Sequence, residues 1–369
     1  MLLSLILFGN ASFAAFLRPA EWEAQIGVIM AWPSIETDAY SDSSLDRATS
    51  DVSAVADAVG KYEPVTVLVE DDRYADAMQR FKSSKNVSVQ PIQGYARLDL
   101  WMRDMAPTFV INTDKKQLEG VDYNFNGWGN KYPTKSCNSL ASMYMYNMNV
   151  TRVASSVVGE GGSFETDGEG TLLVTESSVI NDNRNSGKDK QAIQDELMRT
   201  LGLKKVIWIP GRKGLDITDS HIDGLVRFTA PGKVLLSRPA SVGNDDPFSA
   251  MYKEAREILL NTTDAQGRKL EITEITEADL SKIGAEESVL QAIQNGKSDY
   301  PSLTYVNYLL VNGAVIFPQF GDEDADKEAV KIMQSIYPQR SVSTVVTKEL
   351  PFLGGGIHCS TQEIPSVSK

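Results

Sequence analysis

The chain has 369 residues, of which 42% are hydrophobic and 23% are charged, as is typical of a globular protein with a buried core. Lys and Arg number 36 against 49 Asp and Glu, which gives a formal net charge of −13 at pH 7. Such a chain repels nucleic acid and anionic membrane surfaces and attracts cationic ligands, so we expect neither of the first two as partners.

The N-terminus is predicted to be a leader. Residues 1–15, MLLSLILFGNASFAA, combine a short apolar run with the small residues that signal peptidase prefers. We therefore expect residues 1–15 to be a signal peptide and the protein to be secreted or extracytoplasmic, with the cytoplasm as the alternative. No later run of about 18 apolar residues predicts a transmembrane helix. Asn-x-Ser/Thr triplets, which accept glycans in a eukaryotic secretory pathway, begin at Asn86, Asn149 and Asn261.

One pattern recurs along the chain. Each copy has a short apolar run, a loop rich in Asn and Asp, a helix with an apolar stripe, and a second apolar run. The copies begin near Gly27, Val121 (the faintest), Gly170, Gly232 and Gly313. Their predicted helices span 45–59, 135–146, 189–201, 248–260 and 327–336. Apolar runs between the copies, such as 107–111 and 225–229, predict additional strands.

These repeats predict the architecture. A strand–helix–strand unit cannot cover its own sheet, so units of this size close into a ring or propeller. We therefore predict an α/β fold in which five units, related by pseudo-fivefold repetition, surround a central site within one catalytic domain of residues 16–369. A site on the axis would collect residues from distant parts of the sequence. The sequence leaves the oligomeric state open, and a homo-oligomer is compatible with it.

The first polar motif is Trp101-Met102-Arg103-Asp104, directly before the predicted strand 107–111. A carboxylate accepts the N–H groups of a planar cation while an indole covers its face, so Trp101 and Asp104 are candidates for binding such a cation. A turn Asp beside a core Trp is the alternative.

The next motif is Glu160-Gly161-Gly162, in which the glycines would let the carboxylate approach a ligand; an ordinary loop Glu is the alternative.

The segment Asp219-Ser220-His221-Ile222-Asp223 places a His and a carboxylate two residues apart. On an extended strand His221 and Asp223 would face the same way. Since a His exchanges protons near neutral pH, we predict that His221 is a general acid and base and that Asp223 binds a cation. Further along, Asn307 lies in an apolar stretch, where it either supports the site or binds backbone groups.

The run Gly354-Gly355-Gly356-Ile357-His358-Cys359 lies ten residues from the C-terminus. Consecutive glycines let the backbone approach another group closely, and a thiolate is a strong nucleophile, so Cys359 is the candidate nucleophile. A small buried cysteine on a C-terminal strand is the alternative. On a strand, His358 would face away from Cys359, which makes His221 the better base.

The chain has two cysteines and two histidines, and none of the usual zinc spacings. We therefore expect no metal and no other cofactor, and we expect Cys137 to serve packing.

Taken together, these motifs resemble the agmatine deiminase family, within the guanidine-modifying superfamily called pentein, whose fold is a five-unit α/β propeller. The resemblance runs from Arg18 onward and covers nearly the whole chain. Its further motifs lie at 18–23, 31–33, 125–129, 183–185, 305–307 and 318–322. The last motif departs from the family pattern, because Gly356 stands where an Asn is usual.

The resemblance implies a mechanism without a cofactor. Asp104 and Asp223 would hold a small cationic guanidinium substrate, and Cys359 would attack its central carbon. His221, working with Glu160, would protonate the departing ammonia and then activate water to hydrolyse a covalent amidino-thioether. The same resemblance assigns Trp101, Trp128, Asn307 and Gly356 to substrate binding.

The substrate is predicted to be agmatine, converted with water to N-carbamoylputrescine and ammonia. Related bacterial peptidyl-arginine deiminases place arginines near the substrate carboxylate, whereas segment 125–132 here offers only Lys131. The first alternative is a secreted peptidyl-arginine or free-arginine deiminase, which forms citrulline. Two further alternatives are an inactive guanidinium-binding protein and an amidinotransferase.

Overall fold

The structure is a computed structural model that describes residues 15–34, 42–92, 98–132, 137–243, 246–295 and 298–367. Apart from Ala15, the predicted signal peptide lies outside the described residues. Within the described ranges, no helix has the length and apolar character needed to cross a bilayer.

The strands are short. In chain order they are β1 (Phe16–Leu17), β2 (Gln25–Ala31), β3 (Val65–Val69), β4 (Val87–Pro91), β5 (Thr108–Asn112), β6 (Gln117–Asp122), β7 (Thr151–Ala154), β8 (Glu165–Thr166), β9 (Thr171–Thr175), β10 (Lys205–Ile209), β11 (Val226–Ala230), β12 (Lys233–Arg238), β13 (Glu271–Thr276), β14 (Leu309–Val311), β15 (Ala314–Gln319), β16 (Ser341–Val346) and β17 (Gln362–Pro365).

Between the strands lie long amphipathic helices and several single helical turns. They are α1 (Asp42–Val59), α2 (Tyr74–Phe81), α3 (Met102–Met105), α4 (Gly127–Asn130), α5 (Leu140–Asn147), α6 (Glu176–Val179), α7 (Asp182–Asn185), α8 (Lys190–Leu201), α9 (Pro247–Asn261), α10 (Glu287–Gln294) and α11 (Glu323–Ile336). Turns of 3-10 helix span Asp71–Arg73, Cys137–Ser139, Gly161–Ser163, Ile222–Gly224 and Leu350–Leu353.

The described strands form five sheets that share one topology. In chain order we number them sheet I (β17-β2-β3-β4), sheet II (β1-β5-β6-β7), sheet III (β8-β9-β10), sheet IV (β11-β12-β13) and sheet V (β14-β15-β16). Each sheet has an antiparallel pair followed by a parallel strand, which the chain reaches through a helix. Sheet I takes its antiparallel partner, β17, from the far end of the chain.

The core lies between neighbouring sheets. Each of five buried clusters combines side chains of two sheets with those of a covering helix. Representative pairs are Leu68 with Phe109 for sheets I and II, Val121 with Leu172 for II and III, Ile207 with Val234 for III and IV, Leu235 with Val315 for IV and V, and Ile316 with Val67 for V and I. Each unit depends on its neighbours because its apolar surface is buried only when the next sheet covers it.

The predicted helices are present, within a few residues at each end where the chain is described. The prediction for 189–201 rested on an apolar stripe, and Ile193, Leu197 and Leu201 are indeed fully buried. The predicted strand that starts after Gly170 is shorter than expected. It ends at Thr175, and residues 176–179 form a helical turn whose Ser177 side chain binds a neighbouring carbonyl.

Candidate active site

The candidate functional residues lie at the same place in each unit, in the segment just before the first strand of the antiparallel pair. Asp104 precedes β5, Glu160 precedes β8, His221 and Asp223 precede β11, Asn307 precedes β14, and Cys359 precedes β17. Five segments that are far apart in sequence therefore contribute to one site.

Cys359 lies in a turn, and not on the strand considered from the sequence. The side chain of Asn307 holds this turn: Oδ1 accepts the N–H groups of His358 at 3.0 Å and of Cys359 at 3.3 Å. Its Nδ2 donates to Cys359 Sγ at 3.1 Å. A Cβ on Gly356 would lie 2.5 Å from Asn307 Oδ1, so the glycine leaves room for the amide that positions the sulfur.

The thiol is in a negative environment. Cys359 Sγ lies 3.5 Å from Asp223 Oδ2. Burial, followed by the charges of Asp223 and Asp104, raises the pKa of Cys359 well above its ordinary value. Without a cation in the site, the thiol therefore stays protonated near neutral pH.

The backbone before His221 is in an uncommon conformation. Asp219 and Ser220 have φ values of 62° and 69°, the left-handed region that non-glycine residues avoid. Two hydroxyls hold this pair, because Thr175 Oγ1 donates to the Ser220 carbonyl and Ser177 Oγ to the Asp219 carbonyl, both at 2.6 Å. His221 then leaves the pair in an extended conformation that points its ring into the site.

His221 lies between two carboxylates. Its Nε2 is 3.2 Å from Glu160 Oε2, and its Nδ1 is 3.7 Å from Asp104 Oδ1. Burial alone would lower the pKa of His221, but Asp104, Glu160 and Asp223 together raise it to about 9. The ring is therefore an imidazolium at neutral pH. Its Nδ1 has no hydrogen-bond partner within the described ranges, so this nitrogen is available for proton transfer.

Glu160 lies behind His221 and is fully buried. Arg184 Nε donates to both of its oxygens, at 2.8 and 3.0 Å. Arg184 also binds Asp219 through an N–O contact of 2.7 Å, and Lys131 Nζ lies 2.9 Å from the same carboxylate. Burial opposes ionisation of Glu160, but Arg184 and His221 lower its pKa, so Glu160 is a fixed negative charge beside the imidazole.

Asp104 is held from two sides within the short helix α3. Trp128 Nε1 donates to Oδ2 at 2.8 Å, and the Gly162 N–H donates to Oδ1 at 3.1 Å. Burial, as the largest effect, raises the pKa of Asp104. Trp128 therefore orients a carboxylate of the site in addition to lining the cavity.

Asp223 lies in a 3-10 turn, not on an extended strand beside His221 as the spacing predicted. Its Oδ2 is 2.7 Å from His358 Nδ1, and His358 Nε2 is 2.8 Å from Glu21 Oε2. Glu21 in turn accepts a hydrogen bond from Arg227 at 2.8 Å. Burial acts to raise the pKa of Asp223, but the hydrogen bond and charge of His358 outweigh it and lower the pKa.

Gly162 marks the point where these groups converge. A Cβ on Gly162 would lie 2.5 Å from His221 Nδ1, 3.0 Å from Asp104 Oδ1 and 3.1 Å from Asp223 Oδ2. Only a residue without a side chain leaves these three groups in place.

A cavity of about 310 Å³ opens onto these groups. Of the predicted site residues, Cys359, His221, Asp104, Asp223, Trp101, Trp128 and Asn307 line it. Glu160 and Gly356 are buried behind its wall. Six carboxylates line the cavity, those of Asp99, Asp104, Asp216, Asp223, Glu277 and Asp299. No Lys or Arg of the described ranges lines it, so the cavity is suited to a cation.

Several supporting residues were not predicted from the sequence, namely His358, Glu21, Arg227 and Arg184. For Arg184 a signal existed, because the motif 183–185 that carries the family resemblance places this basic residue between two Asn. Within the described ranges, no group of three or more His, Cys, Asp or Glu side chains is arranged to hold a metal ion.

Comparison with known proteins adds a family relationship. The model of the Porphyromonas-type peptidyl-arginine deiminase family matches residues 17–365. An agmatine deiminase of Medicago truncatula is 32% identical over 98% of this chain and 99% of its own. One of Pseudomonas aeruginosa is 34% identical over 96% of each chain. Among solved structures, the agmatine deiminase of Enterococcus faecalis covers 96% of both chains with a TM-score of 0.84 and 29% identity.

Proposed function

This chain belongs to the Porphyromonas-type peptidyl-arginine deiminase family, and from that premise we propose that it hydrolyses agmatine to N-carbamoylputrescine and ammonia. One observation carries the proposal. A thiol, an imidazolium and two fixed carboxylates share one cavity. Its lining contains six acidic residues, those two included, and within the described ranges no Lys or Arg. This charge pattern favours a guanidine compound that carries no carboxylate.

The same negative charges disfavour a substrate that carries a carboxylate. An arginine or a peptide C-terminus would bring its own carboxylate into this negative cavity. The one nearby Lys considered from the sequence, Lys131, is engaged, since its Nζ contacts Asp219 at 2.9 Å and the Ile217 carbonyl at 2.8 Å. Agmatine carries an amine in place of that carboxylate and avoids the repulsion.

In the first half of the reaction, Asp104 and Asp223 accept hydrogen bonds from the guanidinium and place its carbon near Cys359 Sγ. The positive charge of the substrate offsets the two carboxylates that, together with burial, keep the thiol protonated. The thiol therefore releases its proton to solvent when the substrate binds, and the thiolate forms. Sulfur attacks the carbon, and His221 gives a proton to the nitrogen that leaves as ammonia.

In the second half, a covalent amidino-thioether remains on Cys359. His221, now neutral, takes a proton from water, and the resulting hydroxide attacks the same carbon. Collapse of the adduct releases the ureido product and restores the thiol. Glu160 keeps the imidazole oriented through both halves by its contact with Nε2, and it favours the protonated ring.

We also propose that the five sheets form an α/β propeller around this site, within one domain of residues 16–369. The support is that the buried clusters join sheets I to II, II to III, III to IV, IV to V and V to I. A single unfolding transition, coincident by tryptophan fluorescence and far-ultraviolet circular dichroism, is the expected behaviour of one such domain. Two separate transitions would contradict it.

The activity is tested with a panel of guanidines assayed for ammonia and, by mass, for the product. We expect agmatine to yield N-carbamoylputrescine, arginine and an arginine-terminated peptide to react far more slowly, and Cys359→Ala to yield no product. Citrulline formed faster than N-carbamoylputrescine would instead identify an arginine deiminase. Transfer of the amidino group to an added amine would identify an amidinotransferase.

A further inference from the structure

The cavity continues beyond the reacting groups. Its lining includes Ser237 near the end of β12, Glu277 directly after β13, and Thr304 from the segment that leads to Asn307. Ser237 Oγ lies 2.7 Å from Glu277 Oε1 and 2.7 Å from Thr304 Oγ1. Hydrogen bonds thus link Thr304, in the segment before Asn307, to the carboxylate of Glu277.

Glu277 has no counter-ion. Within the described ranges no Lys, Arg or His nitrogen lies within ion-pair distance of it, and the charged group that acts on it is Asp246, which is also negative. Burial raises the pKa of Glu277, although the hydrogen bond from Ser237 opposes this. A partly buried carboxylate without a nearby cation is unfavourable for the fold, and a ligand cation would reduce that cost.

Two aromatic rings border the same part of the cavity. The ring centroids of Phe248 and Tyr300 lie 5.7 Å apart, and both residues line the cavity. Burial, followed by the charges of Glu277, Asp279 and Asp246, raises the pKa of Tyr300 to about 12. Aromatic faces attract ammonium groups, so rings and carboxylate select for the same kind of ligand.

We propose that Glu277, together with Phe248 and Tyr300, forms a second cation subsite, which binds an ammonium at the end of the substrate opposite the guanidinium. The inference rests on the proposed function, because it specifies which guanidines the cavity takes: those with an amine on a short aliphatic chain. A cavity of about 310 Å³ holds roughly ten water molecules, which suits a ligand of that size.

The test compares agmatine with butylguanidine, which has the same guanidinium and alkyl length but lacks the amine. Glu277→Gln keeps the shape of the side chain and removes its charge. We expect this variant to raise KM for agmatine about 10- to 100-fold, the loss of one charge-assisted contact, and to change kcat less than about threefold. KM for butylguanidine should stay the same.

The matched control is Glu271→Gln, the same substitution at the first residue of β13, the strand that Glu277 directly follows. Glu271 is exposed and pairs with Lys233 outside the cavity, so both KM values should remain unchanged. Glu277→Asp provides a second reading, because its carboxylate is one methylene shorter. This variant should shift the preferred substrate toward the amine with one more methylene.

The outcomes separate this inference from the proposed function. If wild type turns over agmatine but Glu277→Gln leaves the KM ratio of agmatine to butylguanidine unchanged, the subsite is refuted and the activity stands. If wild type releases no ammonia from any guanidine, the activity is refuted. In that case calorimetric binding of agmatine decides the subsite, since equal affinities of wild type and Glu277→Gln would overturn it.

Discussion

At the scale of single residues, the same carboxylates set the protonation of both reacting side chains. Burial and the charges of Asp223 and Asp104 keep the Cys359 thiol neutral, while Asp104 and Glu160 overcome the effect of burial on His221 and keep its ring charged. The thiol is therefore unreactive without a ligand, and in the proposed mechanism a bound guanidinium would reverse one of these effects by neutralising the carboxylates nearest to sulfur. In that mechanism the Cys359 thiol becomes reactive only when a cation binds.

This arrangement predicts that ligand binding ionises the thiol. Without ligand, alkylation of Cys359 by iodoacetamide should be slow at neutral pH, and the ultraviolet absorbance of the thiolate should appear only at strongly alkaline pH. A guanidinium ligand that is not turned over should lower the apparent thiol pKa in the absorbance titration. Cys359→Ala, which keeps the buried Cys137, provides the baseline. An apparent pKa that does not fall with ligand would exclude substrate-assisted activation.

A second residue-scale prediction concerns stability and pH. Because the pKa of His221 is raised in the fold from 6.5 to about 9, its protonation stabilises the protein fully below pH 6.5, and this stabilisation disappears as pH rises through about 9. His221→Gln should therefore lower the free energy of unfolding by roughly 3 kcal/mol at pH 6. The difference from wild type should be small at pH 10. Urea titrations at both pH values measure it, and a difference that grows with pH would contradict the sign.

At the scale of elements, the site is built from turns at strand starts and not from the strands themselves. A strand alternates its side chains between two faces, whereas a turn can direct several consecutive groups to one point. The left-handed pair before His221 and the 3-10 turn at Asp223 show this difference. The glycine turn at 161–163 contributes a backbone N–H to Asp104 and leaves space for the His221 ring.

The element-scale prediction is that Gly162→Ala blocks the site without unfolding the protein. The new methyl would lie 2.5 Å from His221 Nδ1, so the ring or the ligand must move. We expect kcat/KM to fall at least about 100-fold, since a displacement of about 1 Å in a site costs that much. The melting temperature should change little.

Gly243→Ala is the control for this substitution, because a Cβ there meets one ordinary contact, at 3.6 Å from Asp246 Cβ. It should keep wild-type activity. Full activity of Gly162→Ala would show that the space beside Gly162, between His221, Asp104 and Asp223, is not needed during the reaction.

At the scale of the whole molecule, buried ion pairs join the two ends of the chain beneath the site. Glu363 on the last strand pairs with Arg18 near the start and with Arg103 beside Asp104. The Arg103 N–H also donates to the Cys359 carbonyl at 3.0 Å. The C-terminal strand therefore both completes sheet I and anchors the turn that carries the nucleophile.

The whole-molecule prediction is that Glu363→Gln is strongly destabilising. It leaves Arg18 and Arg103 buried without their carboxylate, which should cost about 3–5 kcal/mol of unfolding free energy. Glu328→Gln removes an exposed partner of Lys331 and should cost less than about 1 kcal/mol. Urea unfolding measures both, and similar losses in the two variants would refute the anchoring role.

Much of the fold was predictable because its signals are local. Apolar stripes of period 3.6 identified the helices, and short β-branched runs identified the strands. The strand β17 was not predicted, since its role depends on a partner at the other end of the chain. The spacing of His221 and Asp223 predicts a strand where the structure has a 3-10 turn, because a spacing of two residues does not reveal a backbone that bends.

The sequence by itself determined the repeated unit and the order of its strands and helices, and its motifs identified Cys359, His221 and Asp104 as candidate reactive groups. These depend on residue type and near neighbours. Only the tertiary structure decided what each group faces: His358 between two carboxylates, Arg184 behind Glu160, and Glu277 in the cavity without a counter-ion among the described residues. Charges interact through space and burial, and neither is a property of a short stretch of chain.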